Sequence, residues 1–364
     1  HFRDPGFTHK EDIETGARAA AAGGFTTVVL MANTKPAVDT KETLSYVLEK
    51  GRKTGIHVES CACITKGLAG KELTNMKTLR EAGAAGFTDD GIPILDEALV
   101  KAAMEQAKEL DVPLSFHEED PAYIENNGIN HGKASAYYQI GGSDRMAEIS
   151  LVRRDLELAL STGAAFDVQH ISAKESVALV REAKKRAKEM GMDNIHAEAT
   201  PHHFSLTEEA AIQYGTLAKM NPPLREEADR MAVIEGLADG TIDLIATDHA
   251  PHSAEEKAKP LTEAPSGIIG LETAFSLAIT NLVRPGYLDL PTLFERMSLA
   301  PAKLYHLPAG QIKEDMPADL IVFDDAAEVV YEKFASKSSN SPFTGQKLYG
   351  RIEMTICEGK EIQK

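Results

Sequence analysis

Ile242-Asp243-Leu244-Ile245-Ala246-Thr247-Asp248-His249-Ala250-Pro251-His252 decides how this chain is read. Its first five residues are a short apolar run of the kind that forms a buried strand. Asp248 and His249 follow at the strand's C-terminal end, and His252 lies in the loop beyond. In a parallel β/α barrel that end carries the chemistry, because the βα loops converge on it. Carboxylate and imidazole both ligate zinc-like ions and both carry protons. One such strand end is weak evidence; a repeated pattern is stronger.

Six more strand-like runs precede it. Phe25-Thr26-Thr27-Val28-Val29-Leu30-Met31 leads to Asn33, and Ile56-His57-Val58-Glu59-Ser60-Cys61 is a second. Ala84-Ala85-Gly86-Phe87-Thr88 ends at Asp89 and Asp90, and Val112-Pro113-Leu114-Ser115-Phe116 ends at His117. Ala165-Phe166-Asp167-Val168-Gln169 ends at His170, and Asn194-Ile195-His196-Ala197-Glu198-Ala199 ends near His202. Helical patterns separate them. Residues 11–22 are Ala-rich and stop at Gly23-Gly24, and residues 40–53 carry Leu44, Val47 and Leu48 at helical spacing. Residues 95–110 set Leu95, Leu99, Ala102, Ala103 and Ala107 on one stripe; 146–160 and 173–190 behave likewise, with Ser172 as a cap for the last. Strand and helix alternating this often predict a parallel sheet with crossover helices.

Seven strands precede residue 250, and His1 stands where an earlier strand would end. The expectation is a TIM-like (β/α)8 barrel over residues 1–310, its first strand absent from this sequence, rather than an open sheet. After residue 310 the texture changes. Asp319-Leu320-Ile321-Val322-Phe323-Asp324 and Arg351-Ile352-Glu353-Met354-Thr355-Ile356-Cys357 read as strands with a polar loop between them and no helix. Residues 311–364 are read as the C-terminal part of a small β-sandwich, pairing with strands from an upstream segment.

The chain has 364 residues, 43% hydrophobic and 26% charged, enough for a large core. A formal net charge of −17 repels phosphate backbones and anionic lipid, which argues against nucleic-acid and membrane partners. Cys61, Cys63 and Cys357 cannot all pair with one another and read as buried reduced thiols, hence a cytoplasmic location. No apolar run approaches membrane-spanning length.

The residues at the strand ends are His1, Asn33, Asp90, His117 and His170, then Asp248 with His252 beyond it. Taken singly, each has a bland reading: a packed histidine, an aspartate turn before Gly91, a helix cap at Asp248. His202 and His203 read as structural. Together on one rim, three imidazoles and two carboxylates would bind one zinc-class ion, or two with Asp90 between them. The polar segment 252–267 reads either as a solvated loop or as a rim that orders over substrate.

Several segments carry a family resemblance. His1-Phe2-Arg3-Asp4-Pro5-Gly6 resembles the second half of the His-x-His-x-Arg-x-Pro-Gly motif of dihydroorotases. Met31-Ala32-Asn33-Thr34-Lys35-Pro36, Phe87-Thr88-Asp89-Asp90-Gly91 and Gln169-His170-Ile171-Ser172 match the type I members of that family, in the amidohydrolase superfamily. So do Met220-Asn221-Pro222-Pro223-Leu224-Arg225 and the 247–252 segment. The resemblance implies reversible cyclisation of N-carbamoyl-L-aspartate to L-dihydroorotate in pyrimidine biosynthesis, by a zinc-dependent enzyme with one or two Zn2+ per subunit. It implies His1, Asp90, His117, His170 and Asp248 as metal ligands, with Asp248 also the general acid and base acting on a metal-activated hydroxide. Arg3, Asn33 and His252 would grip the substrate carboxylate, and Asn221, Ser266 and Gly267 the pyrimidine ring. A homodimer, in association with aspartate transcarbamoylase, fits the family. The alternatives are a hydantoinase- or allantoinase-like enzyme, which relies on a carboxylated lysine where Asp90 stands, and a silent transcarbamoylase scaffold that would have lost metal ligands.

Overall fold

Short, fully buried apolar runs need both faces covered, and helices between them supply the cover. The computed structural model describes residues 1–362 and has this arrangement. Strand β1 (Thr27–Leu30) pairs in parallel with β2 (His57–Ser60), Thr27 opposite His57. Ala62 bridges to Phe87, and Phe87 to Leu114, both in parallel. Strands β3 (Leu114–Phe116), β4 (Phe166–Val168), β5 (Ile195–Ala199) and β6 (Leu244–Ile245) continue the parallel row in chain order. The predicted strand at 84–88 thus shrinks to a single bridging residue. Ala84-Ala85-Gly86 offers little β-branched surface, and a Cβ at Gly86 would meet the Tyr305 ring at 2.9 Å.

Neighbours in chain order along a parallel wall are the order of a barrel. Among the described residues no ladder joins β6 back to β1. A cavity of about 320 Å³ lies there instead, lined by Val28 and Val29 on one side and Leu244 and Ala246 on the other, with Tyr305 and Leu307.

Six long helices flank the wall: α1 (Ile13–Ala22), α2 (Lys41–Gly51), α3 (Glu97–Leu110), α4 (Met146–Thr162), α5 (Lys174–Glu189) and α6 (Glu227–Asp239). Asp12 caps α1 through the Thr15 amide, and the chain leaves through Gly23, where a Cβ would sit 2.1 Å from the Leu271 carbonyl oxygen. Two expectations need correction. Helix α3 starts after Asp96, whose side chain accepts from the Ala98 and Leu99 amides. Leu95 therefore precedes the helix and is 53% exposed, and the buried stripe is Val100, Ala103, Met104 and Ala107. Ser172 does not cap α5: its hydroxyl donates to Glu148 and accepts from Arg225 Nε, while the Lys174 amide is satisfied by Asp229 Oδ1 at 2.9 Å.

Past residue 310, β7 (Leu320–Val330), β8 (Lys347–Cys357) and β9 (Lys360–Glu361) form an antiparallel sheet. The polar loop between β7 and β8 runs back toward the rim, where Ser336, Ser338 and Asn340 are buried. Cys61, Cys63 and Cys357 are buried and unpaired. No helix among the described residues is long and apolar enough to cross a membrane.

Candidate active site

Each strand end turns a side chain inward. β3 leads to His117 and β4 to His170, while β6 leads to Asp248. His170 and Asp248 adopt positive φ, +33° and +43°, as does Arg3 at +58°. L-residues take that conformation at a cost of about 1–3 kcal/mol, and such positions gather at functional sites. Of the twin aspartates, Asp89 points away from the rim and accepts from the Ile64 amide at 2.8 Å and from Thr65. Asp90 faces the rim.

The predicted ligand residues converge. His117 Nδ1 lies 2.9 Å from His170 Nε2 and 3.8 Å from Asp90 Oδ1. His1 Nε2 lies 3.3 Å from both Asp90 Oδ2 and Asp248 Oδ1. The far ring nitrogens are held by side-chain acceptors. His117 Nε2 donates to Glu119 Oε2 at 3.0 Å, and His1 Nδ1 donates to Asn33 Oδ1 at 2.9 Å. His117 Nδ1 thus faces another imidazole and His1 Nε2 faces two carboxylates, so nitrogen and oxygen donor atoms gather within reach of a shared cation. The carboxylate–histidine pairing at Glu119 is the outer-shell support that metal-ligating imidazoles use.

Electrostatics follow the same layout. Burial lowers His170 to about 4, with the neighbouring His117 adding to the effect. Burial also works against charge on His117, but the Glu119 hydrogen bond and its charge, then Asp90, raise it. Burial would push Asp248 up; the His1 hydrogen bond and charge, with His170 and His202, outweigh it and hold the carboxylate below its usual range.

A second cluster adjoins the first. Arg3 donates from Nε to the Pro251 carbonyl at 3.2 Å and sets a terminal nitrogen 3.3 Å from His252 Nε2. His252 Nε2 also lies 2.8 Å from the Ser266 carbonyl, and Lys10 Nζ lies 3.2 Å from its Nδ1. Burial, then the charges of Arg3 and Lys10, lower His252 to about 2, so the ring is neutral. Lys10 is paired with Glu256 at 2.9 Å. Among the described residues no carboxylate lies within ion-pair distance of Arg3, so its charge is available to an anion. Asn340 ties the walls together: Oδ1 accepts from the His252 amide, and Nδ2 donates to the Ala250 and Gly267 carbonyls. Asn221 Oδ1 is buried without a hydrogen-bond partner among the described residues. The Gly267 amide donates to the Lys219 carbonyl, which sets the 266–267 backbone beside the 219–221 segment.

Not every sequence expectation sits where it was placed. Asn33 bonds His1 and Asp90 Oδ2, on the cluster side of the site rather than against Arg3. His203 is structural, held by Thr200 at 2.8 Å and by the Pro222 carbonyl at 3.0 Å. Lys10, Glu119 and Asn340 were missed, since each comes from a loop with no periodic signal. The 252–267 segment is pinned rather than solvated. It forms a short helix at Ala254–Lys257, and Lys257 Nζ donates to the Pro265 and Gly267 carbonyls at 2.8 and 3.1 Å. Lys219 Nζ donates to the Leu261 and Ala264 carbonyls, both at 2.7 Å. Burial and the nearby Lys219 charge lower Lys257 to about 7. A hydrogen bond to a charged group contributes about 1.5–3 kcal/mol. Lys219→Met should therefore raise the rate of limited proteolysis within 252–267 by about tenfold or more through local opening. An unchanged cleavage rate would show that other contacts hold the loop.

Comparison with known proteins adds identity to geometry. A family model described as dihydro-orotase-like matches residues 1–176. The dihydroorotase of Clostridioides difficile (strain 630) is 55% identical over 362 residues, covering 100% of this chain and 85% of that protein. The dihydroorotase of Clostridium acetobutylicum is 54% identical over 364 residues, covering 100% and 85%. Among solved structures, an L-hydantoinase (dihydropyrimidinase) from Arthrobacter aurescens superposes with TM-score 0.88 at 23% identity, over 100% of this chain and 83% of that one. A dihydropyrimidinase from Brevibacillus agri NCHU1002 gives 0.83 at 21%, over 100% and 82%. At these identities the structural likeness shows a shared fold alone.

Proposed function

The chain belongs to the dihydroorotase family, and from that premise we propose how its residues divide the work of interconverting N-carbamoyl-L-aspartate and L-dihydroorotate. The observation that carries the reading is the convergence of His1, Asp90, His117, His170 and Asp248 on one rim. Asp90, His117 and His170 each offer one ligand atom, all within 4.8 Å of one another, and their nitrogen and oxygen donors suit a zinc-class ion. His1 and Asp248 would complete the set for one ion or for two. A zinc ion held there would supply Lewis acidity toward the ring amide carbonyl and would lower the pKa of water.

The protein's own groups do the rest. Arg3 offers a planar guanidinium to the substrate carboxylate, the geometry that suits a two-point clamp. Neutral His252 lies against Arg3, while Asn33, bonded to His1 and Asp90, would reach the substrate carboxylate only from the metal side. The partnerless Oδ1 of Asn221 accepts a ring N–H, and the 266–267 backbone borders the ring. In ring opening, ionised Asp248 accepts the proton of the attacking water and passes it to the departing ring nitrogen. In cyclisation, protonated Asp248 gives its proton to the side-chain carboxylate oxygen, then takes the proton that the carbamoyl nitrogen loses as it closes on the carboxyl carbon and passes it to the same oxygen, which leaves as water. A local cationic clamp draws the anionic substrate past the −17 net charge.

The same reading assigns the barrel to residues 1–310 and the β appendage to 311–364. It fills the cavity between β1 and β6 with one more parallel strand, closing an eight-stranded barrel. Buried, unpaired thiols fit a reducing, cytoplasmic setting.

Ultraviolet absorbance of dihydroorotate ring opening tests the proposal, with hydantoin and allantoin as controls. Activity specific to dihydroorotate should be lost on chelation and restored by zinc. Folded, zinc-replete protein that is silent on dihydroorotate would overturn the assignment of roles, and turnover of hydantoin instead would move the reading to another cyclic amide.

A further inference from the structure

At the end of β2 opposite the rim, three side chains converge that have no part in that chemistry. His57 opens β2 and Cys357 closes β8, while Asp319 immediately precedes β7. His57 Nε2 lies 3.0 Å from Asp319 Oδ2. One ligand atom from each of the three residues lies within 4.8 Å of the others. Asp319 Oδ1 accepts from the Glu358 amide at 2.8 Å, which fixes the carboxylate with Oδ2 toward His57. The Cys357 thiol lies 3.8 Å from the Thr26 carbonyl oxygen.

We propose that His57, Asp319 and Cys357 form a second cation site, for one zinc-class divalent ion, that clasps β2 of the parallel wall to the antiparallel sheet. The donor set is the first argument. Imidazole, carboxylate and thiol together suit zinc, whereas magnesium and calcium select oxygen alone. Spacing is the second. Two ligands about 2.0–2.2 Å from a shared ion stand about 3 Å apart or slightly more, as His57 and Asp319 already do. The amide holding Asp319 Oδ1 is the kind of outer contact that orients a ligating carboxylate.

Access is the third argument. The His57 side chain is 32% exposed and that of Asp319 11%, so an ion can enter and a water can complete the coordination. An ordinary ion pair accounts for His57 and Asp319, and the Cys357 thiol beside the same carboxylate adds the third, softer donor. A thiol ligates only once its proton has left, so affinity for the ion rises with pH. The two strands joined belong to different sheets and lie about 300 residues apart in sequence, so an ion here would cross-link the closing segment of the chain to the wall.

Cobalt titration of the full-length protein, freed of metal, tests the site. The rim cluster contains only nitrogen and oxygen ligands, so a near-ultraviolet thiolate-to-cobalt charge-transfer band reports the second site alone. The band should grow to one ion per chain, vanish in Cys357→Ser and persist in Cys61→Ala and Cys63→Ala, with circular dichroism confirming the fold of each. His57→Gln keeps the thiol and should weaken cobalt binding by about tenfold or more; it serves equally if Cys357→Ser fails to fold. A saturated protein without the band, a band that survives Cys357→Ser, or unchanged affinity in His57→Gln would each overturn the proposal.

Discussion

Replacing Asp248 with asparagine should lower turnover of dihydroorotate by about 10²–10⁴-fold, the range that loss of a positioned acid–base group produces. The size follows from the position of the side chain. Asp248 stands at the end of β6 in a backbone conformation with φ +43°, its Oδ1 3.3 Å from His1 Nε2. Interaction with His1 holds it ionised against the pull of burial. Ring opening uses that ionised form, and cyclisation uses the protonated one. Asparagine keeps the shape and the oxygen but neither accepts nor delivers the proton, so both directions should fall together. His1, Asp90, His117 and His170 remain, and the variant should still take up metal. Rates measured in both directions on protein of known metal content check this. Turnover within tenfold of the wild type in metal-loaded protein would remove Asp248 from the role.

Much of this site was legible because of how buried strands are written. β3 and β4 are three residues each and buried on both faces, so they appear as apolar runs. The first polar residue after each run, His117 or Gln169-His170, is then the rim. Chain order gave the order along the wall for the same reason. What stayed hidden depends on contacts between distant loops. Asn340 lies 88 residues from the His252 amide it accepts from, and nothing in its polar neighbourhood marks it. Lys257 sits among charges that read as a solvated face, yet it is 6% exposed because its ammonium is spent on backbone carbonyls. Which of Asp89 and Asp90 faces the rim depended on the amides of Ile64 and Thr65, which claim the first and leave the second. Ser172 looked like a cap because it precedes a helix, but buried Glu148 competes for its hydroxyl and wins.

Glu11→Ala should be the most destabilising single change near the site. Glu11 is fully buried and accepts from four donors: the Thr15 and Ser336 hydroxyls, the Lys337 amide at 3.1 Å and His249 Nε2 at 3.3 Å. The Gly270 amide donates to His249 Nδ1 at 3.1 Å, so the ring is a neutral donor to the carboxylate. One side chain thus joins the start of α1, the residue after Asp248 and the loop that carries Asn340. Removing it leaves buried donors of Ser336 and His249 without their acceptor, at about 1–3 kcal/mol for each unsatisfied group. The melting temperature should fall by several degrees, and Glu11→Gln, which keeps an accepting oxygen, should lose less. The pH dependence has a definite sign. Burial would raise Glu11, but the hydrogen bonds from His249, then Ser336 and Thr15, hold it below the ordinary carboxylate value. Its contribution is therefore complete above that ordinary value and fades as pH falls through the lower, folded one. The stability gap between wild type and Glu11→Ala should be full at neutral pH and should narrow only in acid. Thermal melts across that range decide it: a gap that is absent at neutral pH, or that widens in acid, would mean the carboxylate is not what holds these three segments together.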